Sequence, residues 1–427
     1  LVIYVVQPGD SIYDISQLYG ISPQKIINDN NLENPNMLVP GQTIVVLTDS
    51  VQHTVSRGDS LYSIAKDYGV TLNDLISANP QISNPSKLVV GQVINVPVKG
   101  EQLGTIEVNG YALPNIENSV LQATLPNLTY LSIFSYQVRF DGSLSTINDT
   151  PLIQAALNAG VAPMMVITNI EEGASFSSEL ARVILTNEQV QSNLINNIIQ
   201  TLRAKNYYGL DIDFEYIYPE NREDYNRFLR RITSVLRPLG YIVTTAIAPK
   251  TNANQQGLLY EAHDYPAHGV IVDHVIIMTY EWGYLYGPPM AVAPINEVRK
   301  VLNYAVSVIP SEKILMGMPN YGYDWTLPYT TNSVARSMTN TGAIELAAKV
   351  GAEIQYDTKA QAPFFNYYDS QGRKHIVWFD DARSIRARLQ LVDTYNLGGV
   401  SYWTINNYFP QNWLILNSLY NVKKVSL

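Results

Sequence analysis

The sequence predicts an α/β protein, a closed TIM (β/α)8 barrel preceded by two small βααβ units. Three observations carry this. From about residue 104 to 427, apolar strand patterns alternate with helix-period segments, and the strands number eight. The first hundred residues contain an internal repeat with an offset of 49. One strand, the fourth of the eight, places three acids on a single face.

The repeat comes first in the chain. Val6-Gln7-Pro8-Gly9-Asp10-Ser11-Ile12 recurs as Val55-Ser56-Arg57-Gly58-Asp59-Ser60-Leu61, Tyr19-Gly20 as Tyr68-Gly69, and Asn30 as Asn79. After one inserted residue, Val39-Pro40-Gly41-Gln42 returns as Val89-Val90-Gly91-Gln92. Each unit reads strand, Gly-Asp turn, helix, helix, strand. In the first, Ser11 or Asp10 caps a helix whose apolar residues are Ile12, Ile15 and Leu18. Pro23 opens the second helix. A core built from about 45 residues is marginal. The linkers at 47–51 and 98–101 are short, which sets two independent modules close to the barrel. Their removal is expected to weaken attachment to insoluble material and to leave turnover of small soluble fragments largely intact.

The eight strand candidates are 106–111, 130–136, 162–168, 208–215, 242–248, 274–280, 314–320 and 399–404, with helical patterns such as 223–236 and 295–308 between them. The longest gap separates the seventh from the eighth and holds short strands near 354–356 and 376–379. A doubly wound sheet is the competing fold. It would use fewer strands and usually a Gly-rich phosphate turn, and the sequence has none.

The fourth strand organises the chemistry. In Tyr207-Tyr208-Gly209-Leu210-Asp211-Ile212-Asp213-Phe214-Glu215, the three acids share one face and Leu210, Ile212 and Phe214 share the other. Carboxylates two residues apart on a strand are roughly 6.5 Å apart. Like charges that close raise at least one pKa, which keeps a carboxylic acid protonated near neutrality, as a general acid requires. A solvated edge strand would not carry bulky apolar residues at every alternate position. A calcium loop would be richer in Gly and Asn.

This stretch resembles the Asp-x-x-Asp-x-Asp-x-Glu signature of family-18 glycoside hydrolases on the fourth strand of a TIM barrel. The resemblance implies Glu215 as catalytic acid, Asp213 as the aspartate that orients the substrate's acetamido group, and Asp211 as its buried partner. The first Asp of the pattern falls at Tyr208, where the family residue lies deeper and helps Asp211 manage charge. In Met278-Thr279-Tyr280-Glu281-Trp282, Tyr280 matches the tyrosine that holds the acetamido group, and Glu281 stands where an aspartate is common. In Tyr402-Trp403, Trp403 matches the floor of the −1 subsite. Met278, Glu281, Tyr111 and Asn320, at or near other strand ends, complete the expected substrate-binding set, since TIM-barrel sites form at the C-terminal strand ends. The gap at 325–378 is similar to the small α+β insertion of many family members.

The repeated units, at 1–48 and 52–98, resemble LysM modules. This implies binding of N-acetylglucosamine-containing glycans by Gly9, Asp10, Ser11 and Ile12, and by Gly58, Asp59, Ser60 and Leu61. The segments 34–38 and 84–88 would form the opposite wall of each groove. Helix capping accounts for the Gly-Asp-Ser turns equally well.

Composition agrees with a soluble protein. Hydrophobic residues make up 46% and charged residues 15%, enough apolar content for a large core. Tyr is abundant, 30 against 9 Phe, which suits sugar surfaces as well as cores. The net charge of −9 and the lack of a basic run argue against nucleic acid. There is no cysteine, hence no disulfide or thiolate metal site. His53, His263, His268, His274 and His375 have no metal-ligand spacing and read as structural or surface residues, so no metal and no cofactor are expected. No apolar run reaches the roughly 18 residues of a membrane span, and residues 1–6 lack the features of a signal peptide.

Two LysM-like units before such a barrel are similar to the arrangement in N-acetylglucosaminidases of bacterial endospore cortex. That similarity implies cleavage of peptidoglycan at N-acetylglucosamine during germination, and a place in the spore coat, the cortex or the cell wall. Retaining glycosidases commonly set a second carboxylate about 5–5.5 Å from the acid, and family 18 is among the substrate-assisted exceptions. Asp213 shares a strand face with Glu215, so it sits beside the bond rather than across it. Competing readings are a chitinase or an endo-N-acetylglucosaminidase that uses the same barrel on other N-acetylglucosamine glycans, and a glycan-binding protein with an inactive barrel. Relatives of the last kind usually lack the catalytic Glu, and Glu215 is present.

Overall fold

The computed structural model describes every residue except Lys99 and Glu101. The second linker, 98–101, therefore lies partly outside the described residues. Eight parallel strands form the barrel: Gly104–Ala112, Tyr130–Gln137, Ala162–Thr168, Gly209–Asp213, Ile242–Ile247, His274–Ile277, Ile314–Pro319 and Gly399–Trp403. The eighth pairs back onto the first, Val400 opposite Val108, and closes the sheet. Each expected strand is present. The fourth and sixth end two or three residues early, because the chain turns out of the sheet to form the mouth. After Ile277, the Thr279 N–H donates to the Ile277 carbonyl (2.8 Å), and Glu281 adopts a positive φ of 68°.

Alternation places the fourth strand as its pattern demands. Leu210, Ile212 and Phe214 are buried toward the helices, and Phe214 stacks on Tyr225 and Phe228 of the helix Arg222–Leu236 at ring distances of 6.0 and 6.1 Å. Asp211 and Asp213 face the barrel interior. Around them, Val166, Ala246, Ile276 and Leu315 fill the lumen with Tyr111. Tyr208 precedes the strand and packs lower, its ring 6.3 Å from that of Tyr130. At this position the chain has an aromatic layer instead of the fourth acid of the pattern.

The insertion after the seventh strand is a five-stranded sheet whose first strand is Gly322–Thr326 and whose last is Lys374–Trp378, with the helix Asn340–Val350 beside it. It starts three residues before the expected boundary of 325, so Tyr323 belongs to it.

Each module has the expected strand–helix–helix–strand order. Ser11 and Ser60 cap the first helices, each in a capping box. Leu18 is exposed, and Tyr19 takes its expected place in the core. Asn30 and Asn79 explain one repeated position. Each is buried, and its side chain bonds both ways to the closing strand, Asn30 to Val45 and Asn79 to Asn95.

The expectation of independent modules fails for the first. Val39 lies in one apolar cluster with Ala343, Ala347, Ile354 and Phe365 of the insertion, and Val45 belongs to the barrel's main core. The Ile354 N–H donates to the Pro40 carbonyl (2.9 Å), and Arg383 donates to the Gly41 carbonyl (3.1 Å). Gly41, with φ +85°, is required here, since a Cβ would fall 1.8 Å from the Ile354 carbonyl oxygen. Buried Gln411 ties the joint. It accepts from the Thr43 hydroxyl (2.7 Å) and donates to the Thr43 carbonyl (2.7 Å) and to Asn30 Oδ1 (3.1 Å). In the second module the matching Val89 and Val90 are 68% and 66% exposed, and its core cluster is its own.

Candidate active site

The C-terminal mouth holds a cavity of about 470 Å³ lined by Asp213, Glu215, Tyr280, Glu281, Met278 and Trp403, with Tyr111 and Phe134 beneath. Strand pleating brings the acids to it. Asp211 lies deepest and is fully buried, receiving the Tyr111 hydroxyl (2.6 Å) and the Thr244 hydroxyl (2.6 Å). These donors favour its anion, so burial lifts its pKa only to about 6. Asp213 has no such help. Its Oδ1 is buried without a hydrogen-bond partner among the described residues, and its pKa is raised well above the ordinary value by burial, then by the charges of Glu215 and Asp211. Burial and the nearby Glu281 charge push Glu215 up to about 7.

The backbone of Glu215 is clamped. Asn169, just after the third strand, accepts from the Glu215 N–H (2.9 Å) and donates to its carbonyl (2.8 Å). Next to it, His263 accepts from the Ala248 N–H (2.9 Å) and bonds the Phe214 carbonyl through Nε2 (2.9 Å). Burial lowers the His263 pKa to about 4, so the ring is neutral and carries its proton on Nε2. Trp403 forms the floor, its ring 4.8 Å from Phe134 and 5.5 Å from Tyr111, both edge-on.

A closed eight-stranded parallel barrel with its acids at the C-terminal mouth admits many chemistries, and comparison with known proteins narrows them. The family model for glycosyl hydrolases family 18 matches residues 114–407, more than half of the chain. The chain belongs to glycosyl hydrolase family 18. It is therefore a glycosidase, and the LysM domain model matches residues 4–47 and 53–97. The chain is 44% identical over 430 residues to the cortical fragment-lytic enzyme of Bacillus subtilis, covering 99% of both chains. It is 35% identical over 426 residues to the putative sporulation-specific glycosylase YdhD of Bacillus subtilis, covering 99% of this chain and 100% of the relative. Among solved structures, the Bacillus megaterium spore cortex-lytic enzyme SleL superposes with a TM-score of 0.90 at 41% identity, covering 99% of both chains.

Within this family 18 barrel the residues named from sequence divide into groups. Asp213, Glu215, Tyr280, Glu281, Met278, Tyr111 and Trp403 meet around one cavity, with Asp211 just beneath. Asn320 does not. It is buried, and its amide donates to the Thr404 carbonyl (3.0 Å) and to the Asn407 carbonyl, bracing the loop behind Trp403. In the modules, Gly9 and Gly58 sit at exposed turns with φ of +91° and +97°. Asp10 accepts from the Gln7 N–H and the Tyr4 hydroxyl (both 2.7 Å), and Asp59 from the Ser56 N–H (2.7 Å), so both hold their turns. Ile12 and Leu61 are buried in the module cores, so their side chains cannot line a groove.

Sequence reasoning missed Thr244 and Asn169, and it placed Tyr321 and Tyr323 at the end of the seventh strand without giving them a role. The last two donate to Glu281 Oε1 at 2.5 and 2.9 Å. It also missed the aromatic wall of Phe176, Tyr216, Tyr260 and Tyr284. The signal for Asn169 and Thr244 was their place at or near barrel strands. The aromatics lie in loops with no periodic pattern to mark them. Among the described residues no group of His, Asp or Glu is arranged to hold a metal, and no helix is long and apolar enough to cross a membrane.

Proposed function

We propose that this glycosidase cleaves peptidoglycan at N-acetylglucosamine, acting on spore cortex fragments during germination, and does so with retention through substrate assistance. Its place would be the spore coat or cortex, or the cell wall. The names of its relatives and the two LysM domains support the substrate. The observation that carries the mechanism is Asp213 Oδ1, a buried acceptor without a partner beside Glu215. A lone carboxylate oxygen in a dry pocket calls for a donor from the ligand, and an acetamido N–H supplies one.

In this mechanism Glu215, protonated because burial lifts its pKa to about 7, gives its proton to the glycosidic oxygen as the bond to C1 breaks. The substrate's acetamido oxygen attacks C1 and forms an oxazolinium ion. The acetamido N–H donates to Asp213 and favours its anion, whose charge steadies the cation. Tyr280 donates its hydroxyl to the acetamido oxygen, and Trp403 supports the sugar ring. Glu215, now a carboxylate, takes a proton from water as that water opens the oxazolinium. An intramolecular nucleophile starts in place, which removes an entropic part of the barrier. Asp211, held by Tyr111 and Thr244, keeps negative charge beneath Asp213.

Proton NMR of freshly cleaved product tests this. Two inversions leave a β reducing end before mutarotation, whereas initial α product means direct attack by water and removes Asp213's role. Mass spectrometry of digested cortex fragments against chitin oligomers tests the substrate.

A further inference from the structure

The cleft continues past Trp403. On one side of this residue lies the catalytic cavity with Glu215. On the other, a cavity of about 460 Å³ is walled by Glu281, Tyr321, Tyr323, Thr339 and Asn407. The acid protonates the leaving oxygen, so the aglycone occupies the side of Glu215. The second cavity therefore faces the glycone side, toward the non-reducing end of the strand.

A third cavity, about 300 Å³, lies in the joint between the first module and the insertion. That volume is at the lower end of the roughly 300–1,000 Å³ of ligand pockets. Asn34, Met37 and Leu38 form its module wall, and Ile344, Ala348 and Phe409 its barrel wall. The second and third cavities are lined from the same two segments of chain. Thr339 and Asn407 line the second, and Thr341 and Phe409, two residues on in each case, line the third. The walls run on from the catalytic cleft to the module along two separate segments of chain.

The lining suits an uncharged sugar. Apolar faces that stack on pyranose rings sit beside Asn31 and Asn34, whose side-chain amides make no hydrogen bond among the described residues. Glu33, Glu345 and Lys349 also line the cavity, and burial, then the Glu33 charge, raise the Glu345 pKa. The docked state of the module, held by Gln411, Arg383 and Gly41, fixes the joint as a rigid surface.

We propose that the first module and the helix Asn340–Val350 together form a distal glycone subsite that holds the same glycan strand whose bond Glu215 cleaves. The proposal rests on the peptidoglycan reading above. It makes the module part of the substrate track rather than a separate anchor. Long strands then gain from two linked sites, and short ones do not. Linked sites typically raise avidity by about 10²–10⁴.

The test measures kcat/KM on purified N-acetylglucosamine-containing cortex strands graded by length, for the full chain and for Ala348→Trp, which fills the joint from the barrel side. The wild-type ratio of long-strand to short-strand kcat/KM should fall at least about tenfold in the variant. An unchanged ratio overturns the proposal. Wild-type protein that cleaves no cortex strand of any length overturns the substrate reading instead. Hydrogen exchange on Glu215→Gln provides a second readout that needs no change at the joint. Long strands should protect both 31–38 and 341–348. Protection of 31–38 alone would mean that the module binds glycan apart from the barrel, and would overturn the shared track.

Discussion

Replacing Glu215 with Gln should make the protein more stable and nearly inactive, and the gain in stability should depend on pH. The carboxyl is raised from an ordinary 4.5 to about 7, first by burial and then by Glu281. At 1.36 kcal/mol per pH unit this corresponds to about 3 kcal/mol. The sign follows from where the proton sits. Below about pH 4.5 the group is protonated in both folded and unfolded chains, so the substitution changes little. Between 4.5 and 7 the unfolded chain ionises first, and wild-type stability falls as pH rises. Above 7 the folded protein holds a buried anion, and the Gln variant is relieved of it. For Glu215 itself about 3 kcal/mol is an upper bound, because its side chain is partly exposed, and relief of Asp213, whose pKa the Glu215 charge raises, adds to the gain. Thermal unfolding of both proteins at pH 4, 6 and 8 reads the effect, with equal midpoints at pH 4 and a variant several degrees higher at pH 8. Turnover should fall by about 10²–10⁴, the range for loss of an acid–base group. A variant no more stable than wild type at pH 8 would refute the argument that the acid is held protonated by burial.

Other perturbations act on the same contacts. Glu281→Gln removes the charge that helps raise Glu215, so the alkaline limb of the kcat/KM profile should move to lower pH; an unmoved limb would mean that the two carboxylates do not interact. Gln411→Ala strands the hydroxyl and carbonyl of Thr43 in a buried joint and should cost about 2–4 kcal/mol in denaturant unfolding, with faster proteolysis of the first module. Wild-type unfolding would mean that the joint contributes nothing. Deleting residues 1–98 exposes the cluster around Ala343, Phe365 and Val377, so the truncated barrel should melt below the full chain even where it still cleaves short fragments; an equal midpoint would restore the picture of detachable modules.

Much of the site was legible in the sequence because a strand has a period of two. Once residues 208–215 are read as a strand, Asp211, Asp213 and Glu215 must share a face, and the buried Leu210, Ile212 and Phe214 must share the other. Strand ends of a barrel converge on one mouth, which is why Tyr280 and Trp403, more than a hundred residues apart, could be assigned to it from pattern alone. The same logic overreached for Asn320. It lies at a strand end, but its amide turns to the loop behind Trp403 and never reaches the cavity. Ile12 and Leu61 were placed in a groove by adjacency to the Gly-Asp-Ser turns, whereas helix periodicity sends both inward.

Local periodicity and the 49-residue repeat thus determined the barrel, the two modules and the row of acids, because each of these is written in residues close together in the chain. Which module touches the barrel was decided only in three dimensions. Chain order puts the second module next to the barrel, yet the first is the one docked on it, through Val39, Gly41 and Thr43 against Ile354, Arg383 and Gln411. Those partners are separated by more than three hundred residues, and the matching Val89 and Val90 of the second module carry the same kind of side chain into solvent. The physical reason is that the pattern of one segment records whether a surface is apolar, while burial of that surface depends on a distant segment of complementary shape and hydrogen bonding.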